Sequence, residues 1–201
     1  MSERTIRGQT AIVGIGETTY YKRAQAPDPE FTMVLEAVLL AAEDAGIDVR
    51  EIDGFASYSN DRNTPERIAS ALGIEHYGLS SMFWGGGGGG GSGAVANAVA
   101  AIAAGYIDVA VVYRWLAQGQ FGRFGQGPQV NVVRGQGAFT APYGLMSPAQ
   151  TFAMRVTRFM HEHGVHQDAL RAISLTSYNH AQNNPRAVMQ GRELTEEIYE
   201  N

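Results

Sequence analysis

The sequence predicts an α/β fold built on a largely parallel sheet. Three observations carry that prediction. Short β-branched or apolar runs alternate with segments of helical period. One run, Asp108–Tyr113, is apolar almost throughout, as a strand covered on both faces is. Glycine or proline punctuates nearly every junction. The 201 residues are 44% hydrophobic and 17% charged, which excludes a disordered chain and supplies enough apolar surface for a core. A formal net charge of −5 opposes general nucleic-acid binding through phosphate neutralisation. The chain has no cysteine, so disulfides, thiolate nucleophiles and cysteine-ligated zinc are excluded. Lys22, the only lysine, lies in a polar loop and is the sole candidate for Schiff-base chemistry. No apolar run is long enough to span a bilayer and MSERTIRGQT is not a signal peptide, so a cytoplasmic location is expected.

Thr10–Ile15 (TAIVGI), stopped by Gly16, reads as a buried strand. Pro27 and Pro29 punctuate the following loop. Phe31–Ala45 carries Val34, Leu35, Val38, Leu39 and Ala42 at helical spacing, with Gly46 as its stop. Asp53–Tyr58 reads as a second strand. Thr64, Pro65 and Glu66 supply an N-cap, a first-turn proline and an acidic start for a helix ending at Leu72 before Gly73. Tyr77–Trp84 reads as a third strand and runs into Gly85–Gly91. Ser92–Ala104 is an alanine-rich helix with Val95, Val99 and Ile102 on one face, and Asp108–Tyr113 closes the alternating pattern. From Leu116 to Ser147 the chain is rich in Gly, Gln and aromatics without a clear period, which marks a functional loop or an interface arm. Ser147 caps a helix running to about His163 with Gly164 as its stop; a second helix covers about Gln167–Gln182 and leads to Asn184–Pro185. The terminal EIYEN reads as an unfinished element, so the chain is expected to be cut off there.

Candidate chemistry centres on Trp84, seven glycines, Ser92 and Gly93. Each glycine in regular structure costs about 0.5–1 kcal/mol relative to alanine. Glycine runs are often linkers, but this one sits between a strand and a core helix. Bare backbone at a helix N-terminus admits a ligand or a partner chain, and the helix dipole there favours a phosphate, a carboxylate or a developing oxyanion. Gly14-x-Gly16 lacks the third glycine of a dinucleotide fingerprint, Thr19 standing in its place, and is better explained by strand-end geometry. His161, His163 and His166 do not share a helix face, so no metal site is expected, and Glu196 and Glu197 read as solvated charge. Trp115, Phe121, Phe124, Phe139 and Tyr143 form either a substrate wall or an oligomer contact.

The segments AIVGIGET, AIAAGYIDVAVVY and SPAQTFAMRVTRFMHEHGV, with the strand, glycine run and Ser-Gly-x-x-x-Ala helix, resemble the thiolase superfamily. The nearest branch is the lipid-transfer-protein or sterol-carrier-protein-X type, and the resemblance covers nearly the whole chain but only the N-terminal half of a thiolase. It implies a thiolase-like βαβαβαβ half with an inserted helical loop region. Residues 1–115 would form the α/β core; residues 116–201 would hold the loop region and helices, truncated before the C-terminal half. The family's nucleophilic cysteine falls in register near Gly88, where this chain has none. Cysteine-free relatives resemble the thiolase-like aldolases of steroid side-chain degradation, which cleave a β-hydroxyacyl-CoA by retro-aldol reaction. The resemblance thus implies a carbon–carbon lyase acting on a coenzyme A thioester, with no other cofactor. The alternatives are a non-catalytic acyl-CoA-binding or scaffold subunit, or an acetyl-CoA acetyltransferase with a degenerate site. Gly87, Gly88, Gly89 and Ser92 would line the substrate pocket, with Tyr143 and Met146 in the loop covering it. The acid and base are expected in the C-terminal half. The resemblance also implies a homodimer, with the Tyr77–Trp84 strand near the two-fold, and an OB-fold partner of the DUF35 type.

Overall fold

The computed structural model describes residues 5–21, 24–59, 61–84, 87–117, 120 and 132–200. Contacts divide the chain into two units, residues 1–124 and 125–201. Lys22, Gly85, Gly86, Phe121 and Phe124 lie outside the described residues.

The first unit opens on helix α1, Glu30–Ala45, which buries Met33, Val34, Val38 and Ala42. Gly46 ends it at φ 70°, a left-handed position that costs glycine nothing, and its N–H returns to the carbonyls of Ala42 and Glu43. A 3-10 turn over Val49–Glu51 leads into strand β1, Gly54–Tyr58. Helix α2, Pro65–Leu72, follows and stops at Gly73, φ 71°. Thr64 occupies its cap position, but its side chain makes no cap hydrogen bond. The Thr64 hydroxyl instead hydrogen-bonds the Glu66 carboxylate and so lowers its pKa.

Strand β2 is Leu79–Phe83. A 3-10 turn over Gly87–Gly89 runs directly into helix α3, Gly90–Ala103. The helix therefore begins two residues earlier than expected and takes the last two glycines of the run as its first residues. Strand β3, Ala110–Val112, completes a parallel three-stranded sheet of order β2-β1-β3. Gly54 of β1 aligns with Leu79 on one side and Ala110 on the other.

Successive β1 residues address opposite faces, as the period of a strand requires. Phe55, fully buried, packs with Val34, Val38 and Ile68 from α1 and α2. Ala56, fully buried, packs with Ala94 and Ala98 of α3. Helices thus cover both faces, the doubly wound arrangement that the alternation of elements predicts.

The first expected strand is corrected. Thr10–Ile15 makes no sheet pairing, and Ile12, Val13 and Ile15 are 79%, 64% and 74% exposed. The run lies along α1 instead. The Ile15 N–H donates to Asp44 Oδ2 at 2.9 Å. A Cβ on Gly14 would stand 2.4 Å from the Ala41 carbonyl oxygen, and one on Gly16 2.2 Å from that of Ala37. Two glycines let the backbone press against the helix, so the expected βαβαβαβ half has three paired strands among the described residues.

In the second unit, 3-10 turns cover Gly135–Phe139 and Ala141–Tyr143 within the stretch read as aperiodic. Helix α4, Pro148–His163, has the expected capping box: the Ser147 hydroxyl accepts from the Gln150 N–H, and Gln150 Oε1 accepts from the Ser147 N–H. Gly164 ends it at φ 63°. Helix α5 is Asp168–Gln182. The terminal residues are not formless: helix α6, Glu196–Glu200, starts where Thr195 Oγ1 accepts from the Ile198 N–H. No described residue of this unit is buried, and Phe152, Met154 and Phe159 of α4 are all more than half exposed.

Candidate functional site

In a doubly wound sheet the crevice opens beyond the carboxyl ends of the strands, where the chain changes direction across the sheet. Here that place lies between β1 and β3. The β1–α2–β2 connection leaves on one side of β1, and the α3 connection returns the chain to the other. The residues just after β1 and β3, and the first turn of α3, converge on it.

Tyr58, the last residue of β1, links these parts. Its ring lies under the first turn of α3: a Cβ on Gly90 would come within 2.3 Å of Tyr58 Cδ2, and one on Gly91 within 3.7 Å of Cε1. The Arg114 guanidinium stands 5.1 Å from the centroid of the same ring. Gly93 packs in the same close way, where a Cβ would fall 2.6 Å from the Phe83 ring. Gly88 and Gly89 differ. A Cβ there would meet nothing within 4 Å, and both residues are exposed. The glycine run therefore has two parts: its helical end is required by packing, and its 3-10 end is open backbone ahead of an uncapped helix N-terminus.

A buried polar network holds the strand ends. The Asp61 side chain is fully buried; it accepts from Ser57 Oγ at 3.1 Å, from the Asn63 N–H at 2.9 Å, from Asn63 Nδ2 at 3.0 Å and from the Trp115 N–H at 3.2 Å. Arg114 Nη1 lies 3.2 Å from Asp61 Oδ2, but neither Nη1 nor Nε makes a hydrogen bond. The Trp115 indole N–H is likewise buried without a partner. Glu30, 3% exposed, accepts from Arg62 Nη2 at 2.7 Å and from the Ala117 N–H at 2.8 Å. The Tyr113 hydroxyl donates to the Asn63 carbonyl at 2.6 Å. Burial raises the Tyr113 pKa, and the nearby Asp61 and Glu66 carboxylates and Tyr77 raise it further.

Two cavities open beside this network. The larger, about 790 Å³, is walled by residues 10–17, α1, α3 and β3, with Val95, Val99 and Ile102 facing into it. The apolar face of α3 noted in the sequence thus borders the cavity, while Ala94, Ala98 and Ala101 form the buried face. The smaller, about 490 Å³, is bounded by residues 17–21 and 114–117. Glu17, Arg114 and Trp115 line both. A volume of this size with mostly aliphatic walls and a few polar groups at one end suits an acyl chain carrying a polar head.

Among known proteins, the chain is similar to steroid side-chain-cleaving aldolases. It is 35% identical over 98% of its length to the 17-hydroxy-3-oxo-4-pregnene-20-carboxyl-CoA lyase of Mycobacterium tuberculosis, covering 51% of that protein. It is 34% identical over 96% of its length to a steroid side-chain-cleaving aldolase of Thermomonospora curvata, covering 50% of it. A more distant relative, 25% identical over 94% of the chain and covering 49% of that protein, is an acetyl-CoA acetyltransferase of Methanothermobacter thermautotrophicus. Among solved structures, an Ltp2-ChsH2(DUF35) aldolase superposes with a TM-score of 0.80 and 30% identity over 95% of this chain and 48% of that one. No protein-family profile matches. The chain spans about half the length of the curated relatives it matches.

Of the residues singled out in the sequence, Gly87, Gly88, Gly89 and Ser92 share the approach to α3, with Ser92 exposed. Tyr143 closes a 3-10 turn in the second unit, 87% exposed, and Met146, 60% exposed, precedes α4. His161 and His163 sit in the last turn of α4, where the His163 ring packs 4.5 Å from Phe159. Tyr58, Asp61 and Arg114 escape a reading of the sequence alone. Their signal is positional: each stands at or just past the carboxyl end of a strand, where parallel sheets place ligands. No described helix is long and apolar enough to cross a membrane.

Proposed function

We propose that this chain belongs to an acyl-CoA carbon–carbon lyase with a thiolase-like fold, which cleaves a β-hydroxyacyl-CoA by retro-aldol reaction in steroid side-chain degradation. The observation that carries the reading is the open, side-chain-free approach to α3 at Gly88 and Gly89 in a chain without cysteine. Sequence similarity to two proteins named for this cleavage supports it. A retro-aldol step needs no nucleophile. A base takes the β-hydroxyl proton, the bond between the α and β carbons breaks, and its electron pair passes into the thioester enolate, which is then protonated. The products are a shorter acyl-CoA and a ketone or aldehyde. Donors directed at the enolate oxygen lower the barrier, and in this reading the backbone N–H groups of Gly87–Gly89 and Ser92 supply them. The coenzyme A thioester is the only non-protein group this chemistry requires.

A DUF35-type partner belongs to the same reading, supported by the likeness to the Ltp2-ChsH2(DUF35) aldolase. So does a homodimer, with β2, an edge strand, near the two-fold. The test is to incubate the full-length protein and its partner with a steroidal β-hydroxyacyl-CoA and follow carbonyl product by mass spectrometry. Release of the ketone or aldehyde with the shortened acyl-CoA is expected. Tight acyl-CoA binding without cleavage would overturn the lyase reading and leave a binding subunit.

A further inference from the structure

We propose that the Tyr58 hydroxyl hydrogen-bonds the β-oxygen of the substrate, the oxygen that becomes the carbonyl of the released ketone or aldehyde; the proposal rests on the lyase reading above. Two tyrosines wall the larger cavity, Tyr58 and Tyr113. Tyr113 gives its hydroxyl to the Asn63 carbonyl. Tyr58 is half-buried, and among the described residues its hydroxyl makes no hydrogen bond. Nor is that oxygen sealed from solvent, as Arg114 Nε and Nη1 are. A phenol at the end of the central strand thus borders a largely aliphatic cavity with its donor uncommitted.

The ring is held firmly. It packs on Ala56, Ala94 and Ala98 and lies under the first turn of α3, with the Arg114 guanidinium 5.1 Å from its centroid. Ser59, the next residue, holds φ 60° although it is not glycine, and its N–H donates to the Phe83 carbonyl at 2.8 Å. Such a backbone is strained, and strain of this kind clusters at ligand sites, where the surrounding fold enforces it.

Position selects the oxygen. Tyr58 and Gly91 border the larger cavity, whereas Gly88 and Gly89 are not among its walls. In the lyase reading the backbone ahead of α3 takes the thioester oxygen, so Tyr58 lies on the acyl side of it, where the β-carbon follows. The β-hydroxyl gives its proton to the base and still accepts from Tyr58. As that proton leaves, the oxygen gains negative charge. Tyr58 keeps its own proton and binds this oxygen more tightly in the transition state than in the ground state. An oxygen lone pair then forms the product carbonyl as the α–β bond breaks and its electron pair passes into the thioester enolate.

The experiment uses the full-length protein and its partner with two steroidal thioether analogues of the acyl-CoA, one carrying the β-hydroxyl and one lacking it. Neither has the thioester carbonyl that accepts the electron pair, so neither is cleaved. Calorimetry measures both on the wild type and on Tyr58→Phe, and turnover of the cleavable β-hydroxyacyl-CoA is followed by mass spectrometry. The wild type should bind the hydroxylated analogue about tenfold more tightly than the other. Tyr58→Phe should lose that preference, bind the analogue without the hydroxyl unchanged, and turn over with kcat lower by about 100-fold. Because the hydroxyl makes no hydrogen bond within the fold, the urea midpoint of the variant should match that of the wild type. An undiminished preference in Tyr58→Phe would overturn the proposal, as would an equal loss of affinity for both analogues. A clearly lowered midpoint would make the hydroxyl a structural group and overturn it too. Failure of the lyase reading shows separately, as wild-type protein that releases no carbonyl product while the calorimetric comparison still stands.

Discussion

The contrast between neighbouring glycines at the start of α3 gives a sharp test of the site's construction. Gly90→Ala places a methyl group 2.3 Å from Tyr58 Cδ2, 2.8 Å from Cγ and 3.1 Å from Cβ. Because the Tyr58 Cβ is itself close, ring rotation alone does not relieve the overlap. Arg114 over the same ring limits any wider swing. Overpacking of this kind costs about 1–3 kcal/mol, and three short contacts place it near the upper end. Alanine in a helix recovers about 1 kcal/mol relative to glycine. The net expectation is a loss of about 2 kcal/mol. Gly89→Ala meets nothing within 4 Å, and its φ of −84° suits alanine, so it should gain about 0.5 kcal/mol. Both tryptophans, Trp84 and Trp115, lie in the first unit, so urea unfolding followed by tryptophan fluorescence reads that unit alone. At a slope of about 2 kcal/mol/M, Gly90→Ala should lower the midpoint by about 1 M and Gly89→Ala should raise it slightly. A Gly90→Ala protein as stable as the wild type would refute the close packing of Tyr58 against α3.

Two further outcomes follow from the buried network. The raised pKa of Tyr113 means that the unfolded chain releases this proton first as pH rises. Its stabilising contribution is therefore complete below about pH 10 and falls away above it; Tyr113→Phe should flatten that alkaline loss, read from urea midpoints between pH 9 and 11. Glu30→Ala removes the carboxylate that accepts from Arg62 and from the Ala117 N–H, and should destabilise the first unit by about 3 kcal/mol. Arg62 is 42% exposed and regains water, which keeps the loss at the low end; a change under about 1 kcal/mol by the same fluorescence assay would count against the network.

How much of this was legible in the sequence depended on how local the signal was. Helix α4 was readable to its cap, because Ser147, Pro148 and Gln150 act within one turn. Strands β1, β2 and β3 were each found, with boundaries one or two residues too wide, since ladder hydrogen bonds end where the partner strand ends. The run at Thr10–Ile15 misled because β-branched composition reports fitness for a sheet and not the presence of a neighbour. Gly14 and Gly16, which allow close approach to α1, were visible but ambiguous between a strand end and a packed backbone. The glycine run marked a candidate site in the sequence; only the structure separates Gly90 and Gly93, held by aromatic rings, from Gly88 and Gly89. Asp61 and Arg114 were hidden because they lie 53 positions apart in the sequence, and what matters is that two parallel strands end side by side.

That sheet order also governs when the site can exist as the chain folds. β1 is the central strand, yet both its neighbours come later in the sequence. Pairing Gly54 with Leu79 closes a short stretch around α2, whereas pairing it with Ala110 closes more than twice as much chain. Each doubling of a closed loop costs roughly 0.6 kcal/mol of additional entropy, so the β1–β2 pair forms the earlier nucleus and β3 docks last. Arg114 and Trp115 arrive only with β3. An intermediate lacking that strand would hold a formed helix–strand core, an open edge on β1 and an Asp61 carboxylate with no Arg114 beside it. The corner that holds Asp61, Arg114 and Trp115 is thus the final piece of the unit to assemble and the first exposed to a chaperone or protease when the strand lets go.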